Sequence, residues 1–197
     1  MDSPPPGTKI SSKDIEKNVW VPRDPSLLEF VKNYARVLEA RNRLQICIWP
    51  EHCIIGSSGH RVVTVIKEAV DRWIARQSET LVIKQVHYIL KGMNPRIEMY
   101  SALAAEVEDV ADPSTSYDRK LLADLAISDR ILICGQALTH TLNYTTRDIC
   151  SQMDPRKLTV FLDGTSALAG FENEGKAFLS DMEALGVTLT TTTEIFS

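Results

Sequence analysis

Apolar positions recur along this chain with two different spacings, and the changes between them mark out its elements. Residues 27–40 (LLEFVKNYARVLEA) place Leu28, Val31, Ala35 and Leu38 on one face, the spacing of an amphipathic helix. LQICIW, residues 44–49, is a short β-prone run stopped by Pro50. Val63, Ile66, Val70, Trp73 and Ile74 form a stripe that predicts a helix over residues 60–75. VHYIL (86–90) predicts a second strand, closed by Lys91 and Gly92. Residues 98–107 and 119–127 carry helical spacing, and the Asp/Ser-rich loop 112–116 between them offers caps for the second helix. ILIC (131–134) predicts a third strand, followed by a helix over residues 141–150, and LTVFLD (158–163) predicts a fourth. Residues 172–185 read as a helix ended by Gly186, and VTLTTTTEI (187–195) as a last strand.

Strands alternating with helices point to a three-layer α/β/α fold with a mostly parallel sheet. Residues 1–25 are rich in Pro, Ser and Lys and read as an extended N-terminal arm, with residues 26–197 forming one domain. A length of 197 residues suits that organisation.

Composition narrows the function. A net charge of −4, with no dense Lys/Arg stripe, gives no footprint for nucleic acid. No apolar run approaches the roughly 20 residues that a membrane helix needs. The start, MDSPPPGTK, has no apolar core of a signal peptide, and the four cysteines show no CxxC spacing. Cys47 and Cys134 lie inside apolar runs and read as buried free thiols. The expectation is a soluble, cytoplasmic protein.

In an open parallel sheet the carboxyl ends of the strands line one edge, where ligands bind. Here those ends carry His52 with Cys53, then Lys91 with Gly92, then the turn 135–141, then Asp163 with Gly164. Each has a plain structural explanation: a solvated lysine, a loop histidine, turn chemistry at Asp163-Gly164. Together they suggest more. A lysine stabilises an oxyanion or depresses a neighbouring pKa, and a helix N-terminus favours a thiolate or an oxyanion. Thr141 stands where such a nucleophile would sit.

Four ordered segments resemble the isochorismatase-like hydrolases, the superfamily of nicotinamidases and related cysteine amidohydrolases. IWPEHCIIGSSGH (48–60) is similar to its W-P-x-H-C-x-x-G-x-x-G segment, and KGMNPRIEMYSAL (91–103) to its K-G-x-x-x-x-x-E-x-Y-S-A segment. GQALTHTLNYTTRDI (135–149) resembles the nucleophile segment, and LDGTSALAGFE (162–172) the strand end that follows. The resemblance implies a Rossmann-like fold and amide hydrolysis through a thioester, driven by an aspartate, a lysine and a cysteine. Carried over by position, Lys91 is the triad lysine and Thr141 occupies the cysteine's place. Leu138, Thr139 and His140 form the oxyanion turn, where family members have a cis peptide. Nicotinamidase-type members hold zinc through a D-x-H pair and the histidine of W-P-x-H-C, here His52.

The departures from the family are specific. Thr141 replaces the thiol, and a threonine hydroxyl needs an adjacent strong base. The family's first strand, an apolar run ending in aspartate, has no counterpart, and no D-x-H occurs in the chain. These changes predict impaired catalysis on a small amide, or a non-catalytic subunit with a role in assembly. They also predict a sheet without its N-terminal strands. Three explanations are open: a shortened chain, a homo-oligomer or partner chain that completes the sheet, or a substitute role for residues 1–25.

Overall fold

The computed structural model describes residues 3–41, 43–77 and 85–195, in two compact units, residues 1–89 and 90–197. No helix is long and apolar enough to cross a membrane among the described residues.

The first unit begins with β1 (Lys9–Ile10) and α1 (Ser12–Glu16), followed by α2 (Leu28–Ala40), β2 (Ile46–Cys47) and α3 (Thr64–Gln77). The sequence pointed to an extended arm over residues 1–25, of which 1 and 2 lie outside the described residues. The structure instead gives residues 9–16 regular form. Ser11 caps α1 through a capping box with Asp14, so a local hydrogen-bond exchange nucleates the helix despite the flanking prolines. Ile15 then buries to 1 % exposure against Ile10 and Ala35, with Leu28, Val31 and Ile46 packed around them. The Glu39 carboxylate on α2 accepts from both the amide and the hydroxyl of Ser12, at 2.8 and 2.6 Å. β1 pairs antiparallel with β2, Lys9 opposite Cys47 and Ile10 opposite Ile46. α3 matches its sequence stripe, but Val63, Ile66 and Ile74 on that stripe are exposed.

The second unit holds α4 (Arg119–Ala126), β3 (Ile131–Ile133), α5 (Thr141–Gln152), β4 (Leu158–Phe161), α6 (Glu172–Ala184), β5 (Thr188–Thr190) and α7 (Thr192–Ile195). β3, β4 and β5 form a parallel sheet in that order, with Ile131 opposite Leu158 and Thr159 opposite Thr188. β4 is central and buried along its whole length. Its neighbours supply the core: Leu142 and Ile149 of α5, Phe178 and Met182 of α6, and Leu103 from the segment before α4. This is the mixed α/β architecture with a parallel sheet that the alternating pattern implied. α6 ends as expected at Gly186, whose φ of +88° suits a residue without Cβ.

Three expected elements differ. Residues 86–90 form no strand; Tyr88 and Leu90 are exposed, and among the described residues no strand is paired with them. Residues 98–107 form an irregular buried segment rather than a helix. Side chains compete there for the backbone: Ser101 Oγ accepts from Leu103 N, and Glu106 accepts from Tyr100 N. The last strand stops at Thr190, because Asp163 and Glu194 bind the amides of Thr192 and Thr191 and turn the threonine run into α7.

Candidate functional site

β3 runs into a tight turn before α5. Cys134 follows the strand as an exposed thiol, a correction to the expectation of burial: β3 is three residues long, and Cys134 falls beyond it. Cys47 is half-buried, and none of the four cysteines is in a disulfide. Gly135 follows with φ +129°, a conformation that disfavours side chains, and a cis peptide joins Gln136 to Ala137.

The turn is stitched to the segment after β4. Gly135 N donates to Gly164 O and Leu138 N to Ser166 O, both at 2.9 Å, and Ser166 Oγ donates to Gln136 Oε1 at 2.9 Å. Gly164 is required by space as well: a Cβ there would lie 2.9 Å from Cys134 Cβ. The amides of His140 and Leu142 both donate to Ala137 O, at 3.1 Å, which closes the turn onto the first residues of α5.

The turn residues singled out from sequence sit together. Leu138, Thr139 and His140 are buried, and Thr141 is the half-buried first residue of α5, where the helix dipole is positive. The amides of Leu138 and His140 are committed to protein carbonyls in this conformation. Thr139 Oγ1 lies 2.8 Å from His140 Nδ1. The His140 ring meets the Phe171 edge at 4.8 Å and Tyr100 at 5.6 Å, and Tyr100 in turn stacks on Tyr144 at 5.6 Å. Along α5, Arg147 bonds Asn143 Oδ1 at 2.7 Å and Asp181 of α6 at 2.6 Å, and lies over the Phe178 ring. This ladder fixes the helix that carries Thr141 to its neighbour. On the same helix, burial pushes the Cys150 thiol up, with Arg147 partly opposing.

Lys91 donates to Met99 O at 3.0 Å. A small pocket of about 50 Å³ opens beside it, lined by Gly92, Met93, Asn94, Ile97, Met99 and Thr115, and Thr141 is not among its walls. Asp163, at the end of β4, is not free to serve as a base. Hydrogen bonds from the Thr192 hydroxyl and amide hold its carboxyl below its ordinary value, and those bonds cap α7.

His52 belongs to the first unit. It is exposed, and its Nδ1 lies 2.7 Å from Pro50 O, which assigns the proton to that nitrogen. Among the described residues, no group of three or more His, Cys, Asp or Glu side chains is placed to hold a metal. The donors present therefore do not fit the zinc that the resemblance implies, which calls for at least three protein ligands. Sequence reasoning also missed a residue: Glu106, a buried carboxylate beside Tyr100, which no spacing marks out.

No protein-family model matches the sequence, and no curated protein matches it. Solved structures do. The yeast nicotinamidase Pnc1p, bound to the inhibitor nicotinaldehyde, is similar with a TM-score of 0.54 and 17 % identity, over 75 % of this chain and 60 % of that one. A nicotinamidase and pyrazinamidase from Acinetobacter baumanii gives a TM-score of 0.55 and 18 % identity, over 77 % of this chain and 63 % of that one. The chain thus spans about three-fifths of the length of these two proteins. Identity this low speaks for architecture alone: the chain shares the α/β fold of these two nicotinamidase structures.

Proposed function

We propose that the chain is a nicotinamidase-related amide-hydrolase domain whose catalysis is impaired. The observation that carries this reading is Thr141 as the first residue of α5, directly after a turn closed onto Ala137 O, the position that the resemblance gives to the family's cysteine. Hydrolysis of a small amide would need the nucleophile to attack the carbonyl carbon, an oxyanion to be held, and ammonia to leave. An alcohol begins that sequence only if a base takes its proton. The carboxylate at the neighbouring strand end, Asp163, is committed to Thr192, and Lys91 is committed as a donor to Met99 O. The same reading expects a cytoplasmic protein, in keeping with cysteines that form no disulfide.

The test is ammonia release from nicotinamide by the full chain, wild type and Thr141→Cys, with metal content measured alongside. Both proteins are expected to stay near the uncatalysed rate, because the thiol alone does not replace the missing base. Turnover by the wild type that disappears in Lys91→Ala, or stoichiometric zinc, overturns the reading.

A second reading, a subunit kept for assembly, is favoured by one observation. Among the described residues β3 is paired only with β4, which makes it an edge strand, and its Leu132 is 44 % exposed. Such an edge invites pairing with another copy or a partner chain. Light scattering decides it: a monomer at micromolar concentration removes the homo-oligomer.

A further inference from the structure

Glu106 is 3 % exposed, and a carboxylate at that depth is costly unless hydrogen bonds and a counter-charge offset the loss of water. Its Oε1 accepts from Tyr100 N at 3.3 Å. On the other side of the same peptide group, Lys91 Nζ donates to Met99 O at 3.0 Å. The carbonyl and the N–H of a trans peptide point in opposite directions. Ammonium and carboxylate therefore face the two ends of one peptide dipole, each where the dipole favours it. The positive charge pulls on the oxygen and the negative charge on the N–H, so each hydrogen bond polarises the peptide in favour of the other.

This peptide is held firmly. Glu106 N donates to Glu98 O at 3.0 Å, Ala105 N to Thr115 O at 2.9 Å, and Ala102 N to Thr145 Oγ1 at 3.0 Å, which ties the segment to α5 one turn after Thr141. The Tyr100 ring lies against His140, the residue before Thr141, and against Tyr144. Lys91, the peptide, Glu106 and the nucleophile turn therefore belong to one packed cluster. The titratable groups on the elements around it are Glu98, Tyr100, His140 and Tyr144.

We propose that Glu106 is the positioning residue for Lys91, acting through the Met99–Tyr100 peptide. It keeps Lys91 protonated and directed at Met99 O. This rests on the reading of Lys91 as the active-site lysine, and gives that lysine a carboxylate partner across one peptide. The relay holds a proton on the lysine; it does not supply the base that Thr141 lacks.

The test reads Lys91 directly and needs no catalysis, so it is separate from the amide-hydrolysis assay. The full chain is labelled with acetic anhydride between pH 7 and 11, and the modification at each lysine is followed by mass spectrometry, with Lys157 and Lys176 as internal references. Only the neutral amine reacts. In Glu106→Gln the Lys91 midpoint is expected to fall by about one unit, giving roughly tenfold faster labelling at pH 8. Glu106→Asp, which keeps the charge, is expected to stay within about twofold of wild type. A Lys91 profile that is unmoved in Glu106→Gln, or moved equally in both variants, overturns the proposal. If Glu106→Gln does not fold, the reciprocal measurement decides. By linkage, Lys91→Met must raise the Glu106 carboxyl midpoint in carbon-13 NMR, and an unmoved midpoint overturns the proposal equally.

Discussion

Thr141→Cys places a thiol at the first position of a twelve-residue helix, and the fold sets what that thiol should do. The positive end of a helix favours an anion by about 0.3 to 1 kcal/mol, and a pKa unit corresponds to about 1.4 kcal/mol. The thiol should therefore titrate about 0.2 to 0.7 units below the free value of about 8.5. At pH 7 the thiolate fraction then rises from about 3 % to between about 5 and 14 %, a gain of roughly 1.5- to 4.5-fold. Alkylation with iodoacetamide as a function of pH measures this, with the exposed Cys134 as an internal comparison. Thr141 is half-buried, so the reagent should reach the site. A midpoint at or above 8.5 refutes the reasoning: the side chain would then feel burial more strongly than the helix terminus. A much lower midpoint would mean that a further positive group reaches the site.

Two other predictions test the supports of the fold. Gly164→Ala brings a Cβ to 2.9 Å from Cys134 Cβ and 3.3 Å from Phe161 Cβ, so a loss of about 1 to 3 kcal/mol is expected in urea unfolding; an unchanged midpoint would show that the turn yields freely. Hydrogen bonds from the Ser12 hydroxyl and then its amide hold the Glu39 carboxyl below its ordinary value of 4.5, so its contribution is complete above that pH and is lost as pH falls through the lower folded value. The protection factor of the Ile15 amide, its exchange rate corrected for the intrinsic pH dependence, should fall over that acid range in the wild type and lose the dependence in Glu39→Gln.

What could be read from sequence tracks how far each signal is local. α2, α5 and α6 follow from periodicity, because their buried faces repeat every three to four residues and the same residues pack in the structure. β3 and β4 follow from short apolar runs bounded by turn residues. Residues 86–90 have the composition of a strand, yet a strand exists only where another one accepts its hydrogen bonds. α1 was hidden by the prolines and lysines around it, although Ser11 and Asp14 already carried the capping-box spacing. The threonine run after Thr190 looks extended until Asp163, 29 residues away from Thr192, binds its amide. In the site, the residues of the nucleophile turn were legible because they are consecutive. Glu106 was not: its relation to Lys91 passes through a backbone peptide, and no side-chain pattern encodes that.

The order β3–β4–β5 is the same in space as in sequence. Crevices at the carboxyl edge of an open sheet form where that order reverses, since the loops on either side then part in opposite directions. No such reversal occurs within these three strands. β3, which leads through Cys134 into the turn before Thr141, is an edge of this row among the described residues. Within the second unit the loops at the carboxyl edge therefore all part the same way, and the turn that leads to Thr141 leaves from the strand at the end of the row.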